Sequence, residues 1–230
     1  MIDIHTHILN DVDDGASSIE ESIEMLKEQV KQGVTECILT PHFKRYKEDK
    51  EKFIDTQFLK LKDKVQELNL PIHLYLGKEV YYRDSLLELD NLLAIKDTPY
   101  VLVEFSTRVD PQIDEAVYNL KVLKLKPIIA HIERYSYLKK SDYSKLKKTG
   151  ALIQVNAAAI IGSEGLKRRF LSRYLLKHQL VDIVASDSHN MSTRKPNLKK
   201  AYQKVYKKYG RAYAERLFLE NPKKVLDAIK

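Results

Sequence analysis

The chain has 230 residues, 43% hydrophobic and 31% charged, enough for one full-sized core and one domain over residues 1–230. No run approaches the roughly 18 apolar residues of a membrane span, and Met1-Ile2-Asp3-Ile4-His5 lacks the basic and apolar regions of a signal peptide; the expectation is a cytoplasmic protein with no transmembrane segment. A single cysteine, Cys37, excludes a disulfide framework and a Cys-built zinc site, while the net charge of +8 comes from scattered pairs such as Lys147-Lys148 and Lys199-Lys200, read as solvated helix faces rather than a nucleic-acid site.

Short β-branched runs alternate with longer segments of helical period, without linkers or repeats. The first strand is Ile2 to His5, followed by a polar loop, Asn10 to Ala16. Ser18-Ile19-Glu20-Glu21 has the form of a capping box and opens a helix with Ile19, Ile23, Leu26 and Val30 on one face, ended by Gly33. The second strand, Glu36 to Thr40, ends in Pro41-His42, and the next helix carries Ile54, Phe58, Leu61, Val65 and Leu68. Further strands are expected at Ile72 to Leu76, Tyr100 to Phe105, Pro127 to Ala130, Ala151 to Asn156 and Val181 to Ser186. Helical patterns lie between them around Asp84 to Leu93, Pro111 to Leu125, Tyr143 to Thr149 and Leu166 to His178. A helix follows Pro196, and Asn221-Pro222 reads as an N-cap followed by Pro at the first helical position.

Seven βα units form either an open doubly wound sheet or a closed barrel. No Gly-x-Gly-x-x-Gly follows the first strand and no Gly-x-x-x-x-Gly-Lys-Ser/Thr occurs, so the nucleotide signatures of open sheets are missing and a barrel is favoured.

Of seven His, five (His5, His7, His42, His131 and His189) fall at or just after the C-terminal end of an expected strand. Glu79, Glu104 and Asp187 fall at equivalent places. In a parallel βα fold these ends share one face, so the residues converge. His5 and His7, two apart on a strand, project from the same side and can grip one ion together, and Asp187-Ser188-His189 repeats the spacing. Zinc takes about four ligands and manganese about six including waters, so this many candidates implies two or three ions. His73, within a strand, and His178, at a helix end, are read as structural.

His5-Thr6-His7, Asp13-Asp14-Gly15, Thr40-Pro41-His42, Gly77-Lys78-Glu79, Val103-Glu104-Phe105, Ala130-His131-Ile132-Glu133-Arg134 and Ala185-Ser186-Asp187-Ser188-His189-Asn190 resemble, in order, the motifs of the PHP (polymerase and histidinol phosphatase) superfamily. Within it the chain is most similar to the CpsB/YwqE-type bacterial protein tyrosine phosphatases of capsule and exopolysaccharide clusters. The resemblance implies an α/β fold, a distorted (β/α)7 TIM-like barrel, with a trinuclear site loaded with Mn2+, or with Fe, Zn, Co or Mg. Carried over by position, His5, His7, Glu79 and Asp187 would hold the first ion, Glu79, Glu104 and His131 the second, and Asp14, His42 and His189 the third. Asp14 and Glu104 stand where many members of the superfamily carry His, and Ile132 where several carry Pro. The resemblance also implies a phosphotyrosine protein as substrate, in particular a membrane-associated bacterial tyrosine kinase, and is compatible with a homo-oligomer.

The reaction implied is in-line attack on phosphorus by a metal-bridging hydroxide, with non-bridging oxygens held by Arg134 and Arg194, whose forked guanidinium suits phosphate. Arg45, Arg83 and Arg173 are read as surface residues, and Asp11 and Asp13 as turn residues. Cys37 is no nucleophile: cysteine-dependent phosphatases need Arg six positions on, and Phe43 stands there. The competing readings are a small-molecule phosphomonoesterase of histidinol-phosphatase type, a nuclease or proofreading module, and a non-catalytic scaffold of the capsule machinery.

Overall fold

A computed structural model describes residues 1–89, 93–95 and 98–229. Its strands are all parallel: β1 (Ile2–Thr6), β2 (Glu36–Leu39), β3 (His42–Phe43), β4 (His73–Leu76), β5 (Glu79–Tyr81), β6 (Tyr100–Glu104), β7 (Lys126–Ile129), β8 (Leu152–Asn156) and β9 (Ile183–Ala185). One sheet runs β1-β2-β4 and the other β3-β5-β6-β7-β8-β9. They are one surface, because β3 continues β2 beyond Thr40-Pro41 and β5 continues β4 beyond Gly77-Lys78. Thr6 bridges Ser188 in parallel, with His7 N to Ser188 O at 2.8 Å and Asp187 N to His5 O at 2.9 Å, so the last strand returns to the first. The result is a closed, distorted seven-stave barrel. The second and third staves run further than the sequence pattern indicates. Proline interrupts one ladder, and at Gly77 a Cβ would lie 2.9 Å from Ile38 Cγ2, so the backbone passes there only without a side chain.

The barrel interior is an apolar cluster that draws from successive staves Ile2, Ile4, Ile38, Leu102, Ile128 and Ile183. Val225 and Leu226 join it from the helix Asn221–Leu226 and close the end from which the strands start. A larger cluster lies between the staves and the surrounding helices, and Cys37 is buried in it. Strand β1 is out of register with β2 between Asp3 and Thr6. Before the bulge Ile2 and Ile4 face the interior while Asp3 turns outward to Gln29 Nε2 (2.6 Å); after it Thr6 turns outward to Cys37, and His5 and His7 face the mouth. The bulge changes the inward-facing set from aliphatic to imidazole within one strand.

The helices follow the expected pattern with several differences, among them the extra elements Ile132–Arg134, a 3-10 turn, and Arg211–Glu215, a short helix. Ser18 Oγ caps Ile19–Lys31 by accepting from Glu21 N at 3.2 Å, but Glu21 reaches back to Ser17 rather than to Ser18. The segment from Asp84 forms a 3-10 turn, Asp84–Leu89, instead of a helix to Leu93; residues 90–92 of that expected helix lie outside the described residues. A short helix, Ala157–Ile161, follows β8 without a break, because Asn156 ends the strand at the point where the helix begins. Asn221 is itself helical, continuing from a π-turn at Arg216–Glu220, and its side chain donates to Asp182 O at 2.9 Å, so it is no N-cap. No described helix is long and apolar enough to cross a membrane.

Leu102 is wholly buried in the barrel, so Leu102→Ala is expected to cost about 2–5 kcal/mol in a urea unfolding measurement with unchanged slope, whereas Phe53→Ala on an exposed helix face should stay within about 0.5 kcal/mol. Equal effects at the two sites would contradict the interior assignment.

Candidate metal centre

The open end of the barrel gathers His5, His7, Asp14, His42, Glu79, Glu104, His131, Asp187 and His189. Four sets of ligand atoms in this group lie within 4.8 Å of one another: His7, Asp14, His42 and His189; His5, His7 and Asp187; His5, Glu79 and His131; His42, Glu79 and Glu104. Glu79 is central. Its Oε1 lies 2.8 Å from His131 Nε2 and 3.3 Å from His5 Nε2, and its Oε2 lies 2.9 Å from His42 Nδ1 and 3.2 Å from His7 Nε2. Glu104 stands farther from His131, at 3.7 Å. The floor is sealed, with Glu79 at 1% exposure, whereas the Asp14 side chain at 64% marks the open edge.

Backbone geometry delivers these side chains. Strands alternate, so Ile183 and Ala185 in the interior predict that Asp187 also faces inward. His131 breaks that alternation after Ile128 and Ala130, and its φ of 30° turns the imidazole toward Glu79. Asp187 also has a left-handed φ, 50°. Such conformations in non-glycine residues are costly and concentrate where the surrounding structure dictates a side chain's position. Gly15 is needed for a different reason. A Cβ there would fall 2.0 Å from His7 O, where the loop carrying Asp13 and Asp14 folds onto β1.

Ring tautomers are fixed from behind. His5 Nδ1 faces Gln154 Oε1 at 3.2 Å, and His7 Nδ1 faces Asp13 Oδ2 at 2.7 Å; both partners can only accept, so the proton sits on Nδ1 and the Nε2 lone pairs point inward. Those two Nε2 atoms oppose each other at 3.3 Å, a contact that is satisfied either by a proton on one of them or by a metal ion shared between them. His189 Nδ1 lies 3.0 Å from Asp187 O, which leaves its buried Nε2 without a hydrogen-bond partner and aimed at the same space. Imidazole nitrogens and carboxylate oxygens, with no thiolate, are a donor set for divalent metal ions, so the residues fit a metal centre of the kind the resemblance implied.

The electrostatics have the same requirement. Burial opposes charge on Glu79, yet the imidazoles of His5, His131 and His42 hold it well below the usual carboxylate range. Burial and Glu79 push Glu104 up. Burial would lower His7, but Asp13 and Glu79 more than offset this and raise it to about 10; burial and the His7 charge push His189 down to about 3. The cluster draws positive charge, for which protons and metal ions compete.

Both guanidiniums reach the centre. Arg134 meets Asp187 Oδ2 at 2.8 Å and Glu164 at 2.9 Å, and Arg194 meets the same Asp187 oxygen at 2.9 Å. A cavity of about 540 Å³ opens at Asp14 and His42 and is rimmed by Lys44, Arg45, Lys47 and Lys50; Arg45, read from the sequence as a surface residue, lines it. His73 is exposed at the start of β4, and His178 is exposed and packs on Tyr174; both are remote from the cluster.

Sequence reasoning missed the supporting residues. Asp13 shapes the turn, as expected, through Gly15 N, but it also fixes His7 and accepts from His42 N at 3.0 Å. Gln154 Nε2 donates to Asn156 Oδ1 and Asn156 Nδ2 to Asp187 Oδ2, each at 2.8 Å. A signal was present. Gln154 and Asn156 are polar residues two apart within the apolar strand Leu152–Asn156, the spacing of His5 and His7.

Asp13→Asn keeps the size of the side chain but weakens its hold on the His7 Nδ1 proton. Divalent-ion affinity, measured by competition with a chromogenic chelator, should fall about 10–100-fold with the circular dichroism spectrum unchanged. Unaltered affinity would reduce Asp13 to a turn former.

A family model described as "Capsular polysaccharide synthesis, CpsB/CapC" matches residues 1–227. The tyrosine-protein phosphatase CpsB of Streptococcus pneumoniae is 37% identical, with 98% of each chain covered. A solved structure from work on YwqE of Bacillus subtilis and CpsB of S. pneumoniae, described as metal-dependent tyrosine phosphatases, superposes with a TM-score of 0.89 at 31% identity over 100% of this chain and 96% of that one. A lactonase from Listeria monocytogenes shares the fold, with a TM-score of 0.64 at 13% identity over 96% and 92% of the two chains.

Proposed function

The chain belongs to the CpsB/CapC family of capsular polysaccharide synthesis, and from that premise we propose how it acts. It is a metal-dependent tyrosine phosphatase that hydrolyses phosphotyrosine. The observation that carries this reading is a sealed cluster of imidazoles and carboxylates around Glu79, open at Asp14 and flanked by two arginines.

In this reading His5, His7, Glu79 and Asp187 would hold the first ion, Glu79, Glu104 and His131 the second, and Asp14, His42 and His189 the third. Bound there, divalent ions would supply positive charge to the phosphate dianion, to a water and to the departing phenolate oxygen. Arg134 and Arg194 bind non-bridging phosphate oxygens. Arg194, 35% exposed, exchanges its contact with Asp187 for the substrate, while Arg134 stays anchored by Glu164. Asp13 and Gln154 keep the ring protons off Nε2 of His7 and His5, so both lone pairs stay available. Lys44, Arg45, Lys47 and Lys50 attract the anion to the open edge. The oxygen donors Asp14 and Glu104 favour Mn2+ over zinc. A long aromatic phosphate carries phosphorus clear of the peptide backbone, which supports phosphotyrosine over phosphoserine. The physiological substrate in this reading is a membrane-associated tyrosine kinase of the capsule machinery, met in the cytoplasm by residues 1–230 acting as one domain. A homo-oligomer is compatible with it, since every residue named lies in one chain.

His5→Ala or Asp187→Ala should abolish turnover and leave the fold intact, whereas His73→Ala and His178→Ala should match the parent. Elemental analysis of manganese-loaded protein should exceed one equivalent per chain. Full activity at one equivalent or less would overturn the multi-ion reading.

Comparison of kcat/KM for a phosphotyrosyl peptide, a phosphoseryl peptide and histidinol phosphate should favour the first, with turnover stopped by chelator and surviving thiol alkylation, since Cys37 is buried. Arg194→Ala should lose about 2–4 kcal/mol of transition-state stabilisation. If histidinol phosphate won by a wide margin, the metal reading would stand and the tyrosine-phosphatase reading would fail.

A further inference from the structure

The scattered lysines of the sequence are gathered by the fold. The helices Leu166–Lys177 (LKRRFLSRYLLK) and Leu198–Tyr209 (LKKAYQKVYKKY) each carry five basic residues and no acidic one. Between them is a cleft of about 480 Å³ with Ile160, Leu176, Val205 and Tyr209 as its apolar lining and Arg169, Arg173, Lys204, Lys207 and Lys208 as its charged lining, with no carboxylate. Neighbouring acids are committed elsewhere, Glu164 to Arg134 and Asp182 to Lys147. Among the described residues none of the five cations forms an ion pair, although Lys52, Lys64, Lys78 and Lys147 do.

Two of these cations are held in place. Arg169 lies across Gly162, where a Cβ would fall 2.8 Å from its Cδ, so the glycine makes room for the arm. Lys204 Nζ donates to Ile161 O at 2.7 Å, at the C-terminal end of the short helix Ala157–Ile161. Burial, and after it the charge on Arg169, lower Lys204 from the ordinary lysine value. Like charges at this density cost stability unless something uses them.

We propose that this cleft is a second, non-catalytic site that binds a small molecule carrying clustered phosphates on an apolar or aromatic body, by its chemistry a nucleoside di- or triphosphate. The volume suits a small ligand. Five cations exceed the charge of a single phosphate group, and the half-buried ring of Tyr209 in the lining gives an aromatic body a surface to stack on. Arg173, which reads from the sequence as an ordinary surface residue, becomes part of the phosphate grip.

Isothermal titration calorimetry on the metal-loaded protein at physiological ionic strength, with inorganic phosphate, tripolyphosphate and a non-hydrolysable ATP analogue as probes, tests this. The analogue should bind most tightly and inorganic phosphate at least about tenfold more weakly. Arg173→Glu combined with Lys207→Glu should weaken the analogue at least about tenfold and leave p-nitrophenyl phosphate turnover unchanged; Arg173→Gln with Lys207→Gln provides the milder variant if the first does not fold. His189→Ala at the metal centre should retain binding. The proposal is overturned if tripolyphosphate and the analogue fail to bind, if the cleft variants bind them as the parent does, or if His189→Ala abolishes binding. It is also overturned if the chain ignores all soluble probes yet binds phosphatidylglycerol vesicles through these residues, for the cleft would then be a membrane surface.

Discussion

Glu79 sits at 1% exposure inside the mouth of the barrel with four imidazoles within 3.3 Å of its oxygens. An isolated carboxylate at that depth would take up a proton rather than stay charged. Its ionisation therefore depends on positive charge being delivered from several directions, and the rest of the mouth is arranged to deliver it. His5 and His7 come from the first stave, His42 from the second and His131 from the end of β7, so the site exists only when the barrel is closed. Glu104 beside it is pushed toward the neutral form by burial and by Glu79 itself. The centre thus has more negative charge than protons alone settle comfortably, which is the electrostatic basis for a cluster of divalent ions.

Delivering imidazoles to one point requires departures from regular strand geometry. A bulge on β1 re-phases the strand after Ile4, and a left-handed residue re-phases β7 at His131. The interior apolar cluster and the metal centre are two layers of the same inward face, separated by these breaks. Below them the barrel is filled by Ile and Leu side chains; above them it is filled by charge.

Much of this was legible in the sequence, because a residue at the end of an apolar run is visible in one dimension. The strand-end histidines and acids needed only the rule that parallel strands open on one face. Asp14 and the sharing of Glu79 came from resemblance rather than from spacing. The continuations β3 and β5 were hidden by Pro41 and Gly77, residues that normally end a strand but here only interrupt one. Asp13 looked like a turn residue and is one, and nothing local reveals that its second oxygen faces His7. Glu164 lies 30 positions from Arg134, and the gathering of two basic helices into one cleft depends on packing that no single helix pattern encodes.

The seam that closes the barrel joins Thr6 to Ser188. It unites segments separated by most of the βα units, and His5, His7, Asp187 and His189 lie directly on it. Contacts of such long sequence separation form late, because the loop entropy must be spent before the pairing returns anything. Until β9 pairs with β1 the centre lacks Asp187 and His189 opposite His5 and His7, so closing the barrel and completing the metal centre are one event.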